Sequence, residues 1–355
     1  MEKNSQSDPS SHDPLGRSRS QIGLEVALSI LIYLTSFLGN LLVVYVVHKD
    51  SRLKSLTNVF IHNLALTDIS MASLHMPFWV TSLYTGTWIF SEKWCKVQAV
   101  IQSMSWNASI LTMGLIAFNR YFRVVKPALY NRVYSSKRMA RLYCAIAWIA
   151  SMLLATPPLY GWGKMIYYPS CSVCSFNWKI ENISYTIVTV SVVINGTTVS
   201  ILYYYYKIYK TLKESSQNIN AHGIQDGAAS SERPETDIRL LKTCFTVVCV
   251  FLLTWAPISV GVIFETAGCV IPREVCTVAV YLMFTSSLVN PMIYGIMNSQ
   301  FKEAFKRALM FGTCGNNQIQ GSWRNGAMPW GSELAKADSL VVMATFNSHN
   351  GTQGS

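Results

Sequence analysis

Three groups in this chain sit where charge and bare backbone polarity are costly. Asp68 lies inside the apolar run "NLALTDIS", Arg120 inside "AFNRYFRVV", and Asn290-Pro291 inside "YLMFTSSLVNPMIYG". A buried carboxylate without metal-ligand partners is poorly equipped for catalysis, but it can hold a cation or a proton. A proline in a helix interior removes a hydrogen bond, kinks the chain and leaves a carbonyl unpaired. A second such proline, Pro257, follows Trp255 by two residues in "FLLTWAPISV". These residue types point to ion binding and a change of shape.

The elements that must position these groups are long and apolar. The 355 residues are 50% hydrophobic and only 13% charged, where about a quarter charged is typical of soluble domains. The net charge of +11 could suit nucleic acid, but Lys and Arg cluster between apolar stretches, which fits a membrane protein with basic cytoplasmic loops. Seven apolar stretches occur, at roughly 22–47, 58–84, 94–118, 140–161, 185–206, 240–266 and 275–297. Each reaches the roughly 20 residues that a bilayer crossing requires. The expected fold is all-α, a seven-helix transmembrane bundle followed by a short basic amphipathic helix at 299–310.

Orientation follows from the basic residues. With residues 1–21 outside, the outer segments carry Lys3, Arg17, Arg19, Lys93, Lys96, Lys164, Lys179 and Arg273, and the inner segments carry the other 21 of 29. Positive charge favours the cytoplasmic side, so the N-terminus is expected to be extracellular, on a multi-pass plasma-membrane protein. Residues 1–21 form a polar outer tail with no visible signal peptide, 22–311 the helical domain, and 312–355 a cytoplasmic tail expected to be disordered. Residues 214–235 are Gly/Ser-rich and read as a flexible loop.

The motifs fall in a specific order. "GN" at Gly39-Asn40, "LALTD" at 64–68, "NRY" at 119–121, Trp148, "WAP" at 255–257 and "NPMIY" at 290–294 lie on six different spans. In this the chain resembles the class A (rhodopsin-like) G-protein-coupled receptors, over about 22–311. "PPLYGWG" at 157–163 is similar to opsins. Asn119 before Arg120, and "YNRVYSSKR" at 130–138, are similar to melatonin receptors.

The resemblance implies roles. Asn119, Arg120, Tyr121, Tyr205, Asp237, Pro257, Asn290, Pro291 and Tyr294 match the family's activation and G-protein-coupling positions. Tyr294 is expected to swing toward Tyr205 when the Asn-Pro break rearranges, and Arg120 to face Asp237. Asn40, Asp68, Ser109, Ser287 and Asn290 resemble the family's sodium and water site. Asn119 stands where an acid is commoner, so one restraint on Arg120 is missing and basal signalling is expected. Heterotrimeric G protein is the implied partner, with arrestin and receptor kinases at the tail.

Opsins hold retinal on a lysine six residues before the Asn of Asn-Pro. Here that residue is Phe284, so no Schiff base can form there, no covalent cofactor is expected, and retinal could bind only non-covalently. The expected pocket is Gln98, Gln102, Ser103, Trp106, Trp255, Ser259, Tyr281 and Phe284, with Trp79 nearby. Gln102 replaces the Asp of amine receptors, so a neutral, planar or lipidic small ligand is expected.

Cys95 resembles the family's partner of a second-loop cysteine. Cys171 and Cys174 are both candidates, and "CSF" at 174–176 matches better. Cys269 and Cys276 are close enough in sequence for a local bridge, which leaves Cys171 odd. Asn182 begins a glycosylation sequon, and Cys314 is a palmitoylation candidate or a free thiol. A transporter should show repeats or paired broken helices, and none is visible. A membrane enzyme should show clustered His, Cys or carboxylates, and Asp68 stands alone at mid-membrane.

Overall fold

The computed structural model describes residues 13–222 and 232–313, with side chains left out at 191–192, 216–240 and 311–313. The chain divides after Ala308 into a unit spanning 1–308 and a second one to which only the end of the last helix contributes described residues. The side chain of Asp237 is not described, and Cys314 and most of the expected tail lie outside the described residues.

Helix α1, Arg19–Lys49, starts at a capping box: the Ser18 hydroxyl accepts from Gln21 N at 3.2 Å, and Ser18 N donates to Gln21 Oε1 at 2.9 Å. Helix α2, Leu56–Leu74, is capped by Ser55. The apolar stretch at 58–84 reads as one span, yet the backbone breaks at His75 and resumes as α3, Met76–Thr85. Pro77 has no N–H to donate and cannot continue α2 without a clash. The Phe78 and Trp79 N–H groups turn instead to His75 O, at 3.1 and 3.2 Å. Helix α4, Glu92–Val125, is the central helix and packs on α2, on α6 (Lys137–Ala155) and on the fifth span. A short α5, Pro127–Val133, joins α4 to α6.

Between α6 and the fifth span lies a two-stranded antiparallel hairpin that the all-α expectation omits. Strand β1, Met165–Tyr168, pairs with β2, Val173–Phe176, in the register Met165↔Phe176 to Tyr168↔Val173. The fifth span is α7, Ile183–Thr186, a π-helical stretch at Ile187–Asn195, and α8, Gly196–His222. Helices α9, Glu232–Thr266, and α10, Arg273–Met297, carry Pro257 and Pro291 in their interiors. Helix α11, Ser299–Thr313, follows, and its Arg307 pairs with Asp50.

Among the described residues, five helices are long and apolar enough by themselves to cross a membrane: those of spans one, four, five, six and seven. The other two, α2–α3 and α4, complete the seven. They are the inner helices, and they bury polar groups: Asn58, Asn63, Asp68 and His75 on one side, Gln98, Gln102, Ser105, Asn107 and Asn119 on the other. The outward faces are apolar. Leu31 is 57% exposed and Leu253 72%, while Ser36 and Asn40 are fully buried. Polar groups inside and leucines outside is the pattern a hydrocarbon solvent imposes.

Helices α1 and α10 approach closely at one point. A Cβ on Gly39 would stand 3.1 Å from the Pro291 ring. Gly39→Val therefore overpacks this crossing and should destabilise the protein by about 1–3 kcal/mol. Gly23→Ala, on the same helix with nothing within 4 Å of the new Cβ, should be neutral or stabilising. Thermal melts of the purified variants in detergent test the contrast; equal melting temperatures for the two would contradict it.

Candidate functional site

The proline of α10 creates the first polar need. Without an N–H, Pro291 leaves the carbonyl four residues earlier, that of Ser287, without its helical donor. The Asn40 side chain supplies one, with Nδ2 donating to Ser287 O at 2.9 Å and to Ser36 O, in its own helix, at 2.9 Å. One turn further, Asn290 Nδ2 donates to Asp68 Oδ2 at 2.8 Å, with the Ser287 side chain close by. Asp68 is buried and has no cationic partner among the described residues. Asn40 Oδ1 and Ser36 Oγ are buried with no hydrogen-bond partner. Ser109 is buried on α4 and makes no bond to this group among the described residues. The donor set is one carboxylate with neutral oxygens around it, which suits a hard monovalent cation, water or a proton.

At the far end of α4, Asn119 does not pair with Arg120. Its Oδ1 accepts from Thr57 Oγ1 at 3.1 Å and its Nδ2 donates to Tyr130 Oη at 3.4 Å, tying α4 to α2 and α5. Arg120 is 2% exposed, lies against Cys244, and has no partner for Nε or Nη2 among the described residues. The hydroxyls of Tyr205 and Tyr294 are likewise buried and unpartnered. Tyr121 packs edge-on against Phe122 and at a tilt against Tyr203 and Tyr204.

At the hairpin end a cavity opens between α4, the π-helical stretch, α9, α10 and the hairpin. It encloses about 1010 Å³, its open mouth included. Gln102, Ser103, Trp106, Trp255, Pro257 and Ser259 line it. The Trp106 and Trp255 rings meet edge to face at 4.9 Å. Trp255 Nε1 donates to Ser286 Oγ at 3.3 Å, whereas Trp106 Nε1 has no partner among the described residues.

Three expected pocket residues lie elsewhere. Phe284 is 1% exposed, packed at 4.5 Å on Trp79 and 5.8 Å on His75, because the break at His75 brings α3 across that position. Gln98 repairs the same break, bonding His75 Nδ1 and donating to the freed Leu74 O, each at 3.0 Å. Tyr281 donates to Glu25 O at 2.5 Å.

Residues 39–294 match the 7 transmembrane receptor (rhodopsin family) profile. The chain belongs to this family. It is 27% identical over 291 residues to zebrafish (Danio rerio) melanopsin-A, covering 79% of this chain and 49% of that protein. The melatonin receptor type 1A of Phodopus sungorus is 27% identical over 288 residues, with 79% of each chain covered. The human visual pigment-like receptor peropsin is 26% identical over 301 residues, covering 84% of this chain and 88% of that one. The chain thus spans about half the length of melanopsin-A and most of the length of the other two. Squid rhodopsin shares the fold, with a TM-score of 0.73 at 24% identity over 84% of this chain and 89% of that one.

In this rhodopsin-family bundle two disulfides anchor the hairpin. Cys95 on α4 joins Cys174 on β2, with Cα atoms 5.4 Å apart. The expected Cys269–Cys276 bridge is corrected: Cys276 joins Cys171, with Cα atoms 5.2 Å apart, and Cys269 is a free, exposed thiol. Left-handed Gly268 (φ +84) turns the chain after α9 and leaves Cys269 outside, while Cys276, in the first turn of α10, faces the hairpin. The Asn182 Nδ2, the atom a glycan would need, is buried and donates to Asn177 O at 3.0 Å, so the sequon nitrogen is not presented to solvent in this conformation. A salt-bridge chain went unread in the sequence: Asp13–Arg17 at 2.8 Å, then Arg17 and Arg273 each on Glu25 at 2.7 Å. The Arg17 guanidinium holds the Asp13 carboxyl down at about 2. Arg17 and Arg273 registered only as outer charges, because nothing local in the sequence brings them to one carboxylate.

The cysteine map is directly testable. In the intact protein a maleimide should label Cys269, and a non-reducing digest should yield a Cys171–Cys276 linked peptide. A Cys269–Cys276 peptide would contradict the structure.

Proposed function

We propose that this protein is a G-protein-coupled receptor at the plasma membrane, with its N-terminus extracellular. It passes occupancy of the cavity by a small apolar or aromatic ligand to a heterotrimeric G protein docking at the Arg120 end. The observation that carries this reading is the continuous polar path below the cavity. Trp255, in the cavity wall, donates to Ser286; the next residue, Ser287, is held by Asn40 through its carbonyl; Asn290 is held by Asp68. Tyr294 follows one turn later, its hydroxyl unpartnered near the coupling end. Displacing the Trp255 ring therefore perturbs the hydrogen bonds that hold the α10 kink. Asp68 is the place for a sodium ion or a proton, with Ser36, Asn40 and Ser287 as neighbouring oxygens.

The ligand is neutral where it meets α4, since Gln102 and Ser103 carry no charge. Retinal, if it enters, binds reversibly: Phe284 has no amine and its ring is packed into the protein. Family membership supports arrestin and receptor kinases as partners at the tail, 312–355.

Basal signalling is a consequence of Asn119. An acid there would form a charge-assisted bond, roughly twice as strong as a neutral one, to hold Arg120 at rest. The amide instead serves Thr57 and Tyr130. Asn119→Asp should lower basal G-protein nucleotide exchange several-fold, which corresponds to about 1 kcal/mol. Asp237→Ala should raise it. Exchange measured in membranes at matched surface expression decides; unchanged or increased turnover in Asn119→Asp would contradict the reading.

A further inference from the structure

Among the described residues, one carboxylate and no Lys, Arg or His lines the cavity, and it is at the mouth. Glu265 lines the cavity from the last turn of α9, half-buried, ten residues beyond Trp255. It also lines the vestibule above, with Lys179 and Glu181. The hydroxyl within reach of its carboxylate is that of Tyr168. That hydroxyl already donates to Phe176 O at 3.0 Å and accepts from Trp178 N at 3.2 Å. Lys179 is near enough to be felt electrostatically but forms no ion pair with Glu265 among the described residues. Glu265 is therefore a carboxylate facing a ligand cavity without a committed cation. A half-buried carboxylate in that situation favours a charged donor that brings its own apolar body with it.

The other end of the cavity is different. Trp106 offers an unpartnered indole N–H, and Gln102 and Ser103 are neutral. Ten residues of helix at 1.5 Å each set the distance between the two ends at about 15 Å.

We propose that the cavity selects an elongated cationic amphiphile: an ammonium group at the mouth held by Glu265, and an apolar or aromatic body reaching Trp106 and Trp255. This rests on reading the cavity as the receptor's ligand site and refines the ligand class. The counter-ion sits on α9 at the mouth, not on α4 where amine receptors place theirs.

Two probes of equal length and shape separate the charge from the body: all-trans-retinylamine and all-trans-retinol, neither of which can form a Schiff base. Quenching of tryptophan emission is titrated near neutral pH in the purified full-length receptor. The amine should bind about tenfold more tightly than the alcohol, the size expected of one partly buried charge-assisted bond. Glu265→Gln should abolish the preference while retaining the alcohol's affinity, which also reports that the variant is folded. Glu181→Gln, an exposed carboxylate at the same mouth, should keep it. Equal affinities in the wild type, a preference that survives Glu265→Gln, or no saturable binding of either probe overturns the proposal. Basal nucleotide exchange by the wild-type receptor is read in parallel, in membranes that carry it. Its absence counts against the receptor reading, whereas exchange without an amine preference counts against this inference alone.

Discussion

A proline in α10 leaves one carbonyl without a donor, and the neighbouring helix supplies it. The Asn40–Ser287 bond, at 2.9 Å, joins spans one and seven at the point where Gly39 lets the Pro291 ring approach. In hydrocarbon an unsatisfied carbonyl costs several kcal/mol, so this bond must be made wherever the kink is kept. Its position fixes others. Asn290 is turned toward Asp68, and the turn above it presents Ser286 to Trp255. The cavity floor and the buried carboxylate are therefore linked through the backbone of α10 over a single helical turn.

The same solvent logic arranges the rest of the bundle. Leucines face outward and amides, hydroxyls and one carboxylate face inward, so the most polar helices are the most central. That is why α2–α3 and α4 do not qualify as membrane spans by apolarity alone. Several of the buried polar side chains repair a specific fault or bridge a pair of helices. Asn63 donates to Thr112 at 2.8 Å and accepts from Trp148 Nε1 at 3.0 Å, binding α2, α4 and α6 at one point. Gln98 serves the Leu74 carbonyl freed at the α2–α3 break.

Much of this was legible in the sequence, because membrane spans are long, apolar and punctuated by prolines. The seven stretches, the Asn-Pro break and the lone Asp68 are local signals. Trp255 was legible because it belongs to the "WAP" motif, and Trp106 was expected as an aromatic of the pocket. What depends on tertiary placement was not. Pro77 in "LHMPFW" is a local break signal, but nothing there announces that the break turns Trp79 onto Phe284. Cys269 and Cys276 are close in sequence, yet Cys276 meets Cys171 from a hairpin 105 residues away. Glu25 lies 248 residues from Arg273, and no pattern links them before the ends of α1 and α10 are set side by side. Glu265 reads as a charge at a helix end until the cavity it faces is known.

The central claim is that Asn40 is needed because Pro291 withholds a donor. A double-mutant cycle on the unfolding free energy of the purified receptor measures this directly, with Asn40→Ala, Pro291→Ala and the double variant. Asn40→Ala alone should cost about 1–3 kcal/mol, the penalty of an orphaned buried carbonyl. With Ala at 291 the backbone N–H returns to Ser287 O, and the same substitution should cost much less, leaving a coupling of about 1–2 kcal/mol. Effects that add to within about 0.5 kcal/mol would show that the two residues act independently and that the account is wrong.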